Sequence, residues 1–479
     1  MTGFAEYARY DAVGLADLIR RKQVSAEEVL EAAIARIERL NPKINAIIRP
    51  MFDQARKQVA RGLPKGPLAG APFAMKDLGA LYAGVPTVNC SRLCANDPPA
   101  DHNSTITERL LAAGLVILGK TATPEMGLCM TTEPVLYGPT RNPWNTDYSA
   151  GGSSGGSGAA VSSCMVPAAH GSDGGGSLRV PSSNGGLFGY KPTRARTPAG
   201  PDAGEGWSGL SLEHAVARSV RDSAAILDAT QGFAPGDPYC APQHDRPFLS
   251  EMGVDPGRLR IALTTKGKLG EAIDPECVQA AKNAARLCES LGHEVVEAEP
   301  DYDAEAVRWA LKVIITSNMT NLLATIGRAR GRAVDAGEVE RVTWQWAEDG
   351  KRMTGADYAR AVQVLHTTGR KLASFFSKFD VALTPTLASP PVKLGVVNMM
   401  RNDPEVFFDD LFDRLPFTPL YNVTGGPAMT VPLHWTASGM PVGVQFGGDF
   451  GADVTLFRLA SQLETAQPWI GRFPATMAA

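Results

Sequence analysis

Apolar residues recur at helical spacing within residues 11–60, where Val29, Leu30, Ala33, Ile34, Ile37 and Leu40 form one stripe. Ser25 and Glu28 stand ahead of it as an S-x-x-E capping box, so the whole stretch reads as helical. From Pro64 to Asp77 prolines and glycines break the chain, leading into a short apolar strand that ends at Lys76. Ser104 can cap a helix through TERLLAAG, and LVILG at 115–119 reads as a buried strand closed by glycine. Helix followed at once by strand is α/β grammar. Further strands are expected at 260–265, 380–386, 428–433 and 443–447, with helices at 276–291 and 454–465. Residues 303–375 read as mostly helical and carry Trp309, Trp344 and Trp346, as a cap over one end of the sheet would. The chain is expected to be one α/β unit over residues 1–479, with no internal repeat.

Composition narrows the function. Fifty acidic against 47 basic side chains leave a net charge of −3, which argues against a basic nucleic-acid-binding surface. No run of about twenty apolar residues occurs, so no membrane span is expected. The first residues lack the apolar core of a signal peptide, and a cytoplasmic location is expected. The seven cysteines are scattered; only Cys90 and Cys94 are close, and no second pair stands at zinc-finger spacing. They read as reduced thiols, without a metal.

Residues 151–189 hold 12 of the 49 glycines, in two clusters. The first is Gly151-Gly152-Ser153-Ser154-Gly155-Gly156-Ser157-Gly158, the second Ser172-Asp173-Gly174-Gly175-Gly176-Ser177-Leu178-Arg179. A linker would be polar throughout, yet AAVSSCMVPAAH between the clusters is apolar. A phosphate-binding loop fails because no lysine follows the glycines before Lys191. Gly151–Gly155 also satisfies G-x-S-x-G, but that elbow needs a preceding strand, and RNPWNTDYSA is turn-rich. It also needs a histidine, and His170, His214, His244, His293, His366 and His434 lie in no distinctive setting. A further reading uses both clusters. Three glycines ahead of Ser177 leave backbone N–H groups free to converge on an oxyanion, and a desolvated lysine can replace histidine as base.

Together these motifs resemble the amidase signature family of Ser-cisSer-Lys hydrolases. Its GGSSGGS…GxDxGGSxRxP signature matches Gly151–Ser157 and Gly171–Pro181, and Pro72–Asp77 matches its lysine motif. Gly119–Glu125, Arg141–Asn145, Gly189–Thr193 and Asn422–Pro427 extend the likeness over nearly the whole chain. The resemblance implies a large mixed, twisted β-sheet flanked by helices. Within it, residues 60–200 form the catalytic core and 300–375 a helical substrate-pocket insertion. It implies Ser177 as nucleophile, Ser153 as bridging serine behind a cis Gly152–Ser153 bond, and Lys76 as base. The N–H groups of Gly174, Gly175, Gly176 and Ser177 form the oxyanion hole. Asp173 anchors the glycine turn, Arg179 pairs with Asp173 or nearby backbone, and Ser154 orients Lys76. No cofactor or metal is implied. One departure is Gly174, where the family usually has a side chain; an extra glycine would loosen the hole or widen the acyl pocket, with activity retained.

The family divides into free-standing amidases and the glutamine-hydrolysing subunit of the transfer-RNA amidotransferase. Glutamine users carry an acidic residue just before the Phe-Thr…Asn segment; here Arg414, Leu415 and Pro416 stand there, with Asp409, Asp410 and Asp413 close by. Met130–Pro134, Arg141–Asn145 and the region around Trp344 look most like the 6-aminohexanoate-cyclic-dimer hydrolase branch and its aryl acylamidase and urethanase relatives. That likeness implies cleavage of small uncharged aryl, linear or cyclic amides, carbamates and esters through an acyl-enzyme. Cys129, Asn318 and Trp346 are then pocket residues, although the helical tryptophans also suit plain core. The expected partner is the small-molecule substrate, with the chain as monomer or homodimer.

Overall fold

The computed structural model describes residues 4–477. Its strands in chain order are β1 (Ile47–Pro50), β2 (Pro72–Lys76), β3 (Val116–Thr121), β4 (Arg141–Asn142), β5 (Asn145–Ser149) and β6 (Ala168–Asp173). There follow β7 (Phe188–Lys191), β8 (Leu212–Ala217), β9 (Arg260–Leu263), β10 (Glu294–Glu297), β11 (Val381–Pro385), β12 (Ala428–Trp435) and β13 (Pro441–Gly447). Eleven of them form one mixed sheet in the order β1-β3-β2-β6-β8-β7-β12-β13-β11-β9-β10. β3, β2 and β6 run parallel, as do β11, β9 and β10, while antiparallel pairs join the two groups through the middle. This is the mixed α/β sheet flanked by helices that the sequence implied.

The stretch 11–60 is not one helix. Helices Ala12–Arg20, Ala26–Ile44 and Phe52–Ala60 are separated, the last two by edge strand β1. Ser25 and Glu28 do close their capping box on the second helix. That helix stops at Asn45, in left-handed backbone, because Asn41 Oδ1 takes the N–H groups of Ala46 and Ile47, each at 2.8 Å. The turn-rich stretch before Gly151 also differs from expectation: Arg141–Ser149 is a small hairpin, β4 paired with β5 and separate from the main sheet.

The helical cap is built from Ala304–Ala329, Arg341–Gly350 and Gly355–Phe376. Its apolar faces share one hydrophobic cluster with Phe407, Phe408 and Leu411 and with Cys129 and Met130 on the sheet side. Burial of that shared surface fixes the cap over the C-terminal ends of β2 and β6. No described helix is long and apolar enough to cross a membrane.

Candidate active site

β2 ends at Lys76, and its parallel neighbour β6 ends at Ser172 and Asp173, so one edge of the sheet brings both glycine clusters to the lysine. All residues from 150 to 173 are buried, as no flexible linker would be. Glycine is needed there for close approach: a Cβ on Gly152 would lie 2.7 Å from the Cys129 carbonyl oxygen. The Gly152–Ser153 peptide bond is cis.

Lys76 Nζ lies 2.7 Å from Ser153 Oγ and 2.9 Å from Ser172 Oγ, hydrogen-bonded to both. Its side chain is fully buried. Burial pulls its pKa from 10.5 down to about 7, against the upward pull of Asp173, Glu213 and Cys90. A neutral amine has one lone pair and two N–H donors, so it can accept from one hydroxyl and donate to the other. The sequence reading put Ser154 behind Lys76; the hydrogen bonds put Ser172 there. Ser154 Oγ instead donates to the Ser172 carbonyl at 3.2 Å and accepts from the Ser172 N–H at 3.3 Å. It positions the strand that carries Lys76's second hydroxyl.

Asp173 and Arg179 build the turn before Ser177. Asp173 Oδ1 accepts from the Gly176 N–H at 2.8 Å, and Oδ2 from the Leu178 N–H at 3.1 Å. Arg179 Nε and Nη2 reach the same carboxylate at 3.0 and 2.8 Å. Burial opposes the Asp173 charge, but Arg179 and the Asn422 amide hold the carboxyl far below the usual range. One of the four amides expected in the oxyanion hole is therefore already committed, since Gly176 donates to Asp173. Gly174, Gly175 and Ser177 remain along the wall of the cavity.

That cavity has a volume of about 640 Å³ and lies between the sheet and the cap. Ser177, Ser153 and Ser172 line one wall; Ile315, Met319, Leu322, Trp346, Phe412 and Leu415 make the opposite side apolar. Cys129, Asn318 and Trp346, the three proposed pocket residues, all line it. Of the cap tryptophans only Trp346 does so, and it is also packed against Phe407 and Phe408. Among the described lining residues Asp202 and Glu213 are charged, and none is a lysine, arginine or histidine. His170 is the histidine nearest in sequence to this machinery; it lies buried in β6, and burial drives its pKa well down.

Several positions that build or line this site escaped the sequence reading. Ser172 read only as part of the glycine turn. Asn422 donates to the Asp173 carbonyl and carboxylate at 3.0 and 2.9 Å, a role its place in the Asn422–Pro427 motif signalled without specifying. Thr418 Oγ1 donates to the Gly175 carbonyl at 2.7 Å, and Gln445 Oε1 accepts from Arg179 Nη1 at 2.7 Å. Glu213, directly across from Ser172 on β8, carried no local signal.

The sheet, the cap and the lysine-serine cluster define an amide hydrolase, and the chain belongs to the amidase signature family. The Amidase family model matches residues 28–457. The chain is 38% identical, over 477 residues, to the 6-aminohexanoate-cyclic-dimer hydrolase of Paenarthrobacter ureafaciens, covering 97% of this chain and 96% of that protein. A solved structure of 6-aminohexanoate cyclic dimer hydrolase complexed with substrate matches with a TM-score of 0.94 and 36% identity, over 98% of this chain and 99% of that one. A bacterial aryl acylamidase of the same family matches with a TM-score of 0.86 and 28% identity, over 97% and 99%.

Proposed function

We propose that the protein is a free-standing serine amidase that cleaves small uncharged amides through an acyl-enzyme, with Ser177 as nucleophile, Ser153 as bridge and Lys76 as base. One observation carries the assignment: a buried lysine with two hydroxyl partners lies behind Ser153, while Ser177 faces the cavity. Ser177 Oγ bonds to the amide carbonyl carbon as its proton passes to Ser153 Oγ, whose own proton passes to Lys76 Nζ. The carbonyl oxygen gains the charge and is held by the N–H groups of Gly174, Gly175 and Ser177, where losing one donor typically costs ~10²–10³ in rate. As the tetrahedral centre collapses, the C–N bond breaks. The leaving nitrogen takes a proton from Ser153, which Lys76 replaces. Water then attacks the acyl ester, and the same relay accepts its proton and returns one to Ser177.

The apolar cavity supports uncharged amides, with carbamates and esters as further substrates of the same serine. The likeness to a cyclic-dimer hydrolase and an aryl acylamidase points the same way. Glutamine fits poorly, because no lysine or arginine among the described lining residues could pair with its α-carboxylate. Arg414 lines a different cavity, and Asp410 and Asp413 are paired with Arg401 and Arg308.

The test is turnover by the purified chain alone on aryl acylamides, a cyclic amide, a carbamate, simple carboxamides and glutamine, with Ser177→Ala as control. Turnover of an uncharged amide that disappears in the variant is expected. Equal rates in variant and wild type would remove Ser177 as nucleophile, and glutamine turnover requiring added subunits would move the chain to the amidotransferase class.

A further inference from the structure

Gly174 is the position where the family pattern has a side chain, and the space beside it is not empty. A Cβ built there would lie 3.0 Å from Cζ3 and 3.1 Å from Cε3 of Trp207. Contacts that short force the neighbour to move, and here the neighbour is a rigid indole. At Gly175, the next glycine, a Cβ would meet nothing within 4 Å, and at Gly176 it would meet Thr418 Oγ1 at 2.6 Å, so within this turn the contact with Trp207 belongs to Gly174.

Trp207 is held in place by an unusual loop. Gly206 and Ser211 form an isolated antiparallel bridge, with the Ser211 N–H on the Gly206 carbonyl at 3.1 Å. Between them Trp207, Ser208 and Gly209 all have positive φ, at 52°, 53° and 76°. Left-handed backbone at a tryptophan and a serine is disfavoured and persists where surrounding contacts impose it. Those contacts come from three sides. Arg194 Nε donates to the Gly209 carbonyl at 2.7 Å, and Ser208 Oγ lies 2.8 Å from Tyr358 Oη in the cap. Tyr358 Oη in turn accepts from Asn318 Nδ2 at 3.1 Å, a residue that lines the cavity. The loop is thereby tied to Arg194 in the turn after β7 and, through Tyr358, to the cap, and its indole packs on the cap's apolar cluster.

We propose that Trp207 is a specificity-determining wall of this site: seated against Gly174, it admits substrates unbranched beside the scissile carbonyl and turns away branched ones. The inference rests on the proposed Ser177 chemistry, because Gly174 begins the turn that presents Ser177. The glycine at 174 then does not widen the pocket, one of the two effects, with a looser oxyanion hole, that the sequence suggested. It exchanges one wall for another, with a side chain from position 207 replacing the one missing at 174. A flat indole against the carbonyl leaves a slot that an unbranched methylene chain or an edge-on ring can enter, whereas a second carbon on the adjacent atom collides.

The experiment is a double-mutant cycle of Gly174→Ala and Trp207→Ala, read on two matched amide series. One series branches at the acyl carbon next to the carbonyl, the other at the carbon next to the nitrogen; each has an unbranched reference. In Trp207→Ala the ratio of kcat/KM for branched over unbranched substrates should rise about tenfold or more in one series, the scale of one extra carbon in a fitted pocket. Gly174→Ala should lower kcat/KM for unbranched substrates about tenfold in wild type but under about threefold when Trp207 is already alanine, since contacting residues couple. An unchanged ratio in both series, or an equal cost of Gly174→Ala in both backgrounds, overturns the proposal. Circular dichroism and thermal unfolding establish that each variant is folded, and Trp207→Phe, expected to give a smaller change in the same direction, replaces Trp207→Ala if that chain does not fold. Ser177→Ala is run beside them: retained activity there would overturn the serine assignment, whereas the selectivity ratio tests the wall.

Discussion

Lys76 and Arg179 are both fully buried, yet the fold surrounds them in opposite ways. All five N–H groups of Arg179 are hydrogen-bonded: Nε and Nη2 to Asp173, Nη2 also to Asn422, and Nη1 to the Thr418 carbonyl and Gln445. Asp173 supplies the opposite charge at hydrogen-bond distance. Lys76 receives only the hydroxyls of Ser153 and Ser172. The guanidinium, bonded to its counter-charge, therefore acts as a fixed strut under the glycine turn, while the amine is left without a bonded counter-charge and its pKa is drawn down to about 7. Two basic side chains at one site differ because their acceptors differ, and that is open to test from both sides.

Exchanging the treatments should separate chemistry from stability. Lys76→Met keeps the apolar stem and removes the proposed base, so kcat/KM should fall about 10⁴-fold or more, as when a member of a catalytic unit is lost. Its stability should not fall in step. Lys76 has a folded pKa near 7 against 10.5 unfolded, so between those values the unfolded chain binds more protons and stability rises with pH. Lys76→Met should reduce that slope in urea unfolding measured at several pH values, leaving the share of other buried lysines such as Lys120; a large loss of stability instead would mean that Lys76 is a structural cation like Arg179. Asp173→Asn makes the reverse change. It strands the Arg179 charge in the interior, and breaking such a pair typically costs about 3–5 kcal/mol, visible in the same unfolding assay. Smaller is Ser172→Ala, which removes one of the lysine's two partners. A net hydrogen bond of about 1 kcal/mol predicts a five- to tenfold lower kcat. No change would show that Ser153 alone positions the amine.

The parts of this comparison that the sequence exposed are those whose residues are neighbours in the chain. Gly151–Ser157 and Ser172–Pro181 each present their chemistry within one turn, so Ser153, Ser177, Asp173 and Arg179 stood out together. The cap helices did as well, because residues 303–375 keep helical spacing. What stayed hidden depends on strand register and on close approach between distant segments. β6 has the sequence Ala-Ala-His-Gly-Ser-Asp and alternates in no visible way because it is buried throughout. Nothing local indicates that Ser172 faces Lys76, or that Glu213 is its partner across β6 and β8. Asn422 and Gln445 reach Arg179 from more than 240 positions away. Trp207 is similar: the family pattern exposed the missing side chain at 174, and only the fold shows which residue fills the space.

Glu213 provides the finest test of why Lys76 is neutral. It faces the cavity with its side chain 19% exposed, and His170 Nε2 lies 3.8 Å from its carboxylate. Burial raises its pKa to about 7, against the downward pull of Lys76 and Lys120. Lys120 is itself buried, hydrogen-bonded to the Ala80 carbonyl and Thr87, and lowered to about 8. Burial thus works against charge on both Glu213 and Lys76, and near pH 7 the pair sits at the edge of ionisation. With Lys76 as base, kcat/KM should rise with pH through about 7 and then level off. An ionised Glu213 favours the ammonium form and holds that rise at higher pH. Glu213→Gln removes the negative charge and keeps the shape, so the Lys76 pKa falls and the acid limb should move to lower pH, by a fraction of a unit. Glu213→Asp should leave the limb near its wild-type position. Asp173 and Cys90 also raise the lysine's pKa, so the shift is bounded by their remaining pull. A limb that moves to higher pH in Glu213→Gln would mean that the observed ionisation is not the loss of a proton from Lys76, and the contrast with Arg179 would then need another origin.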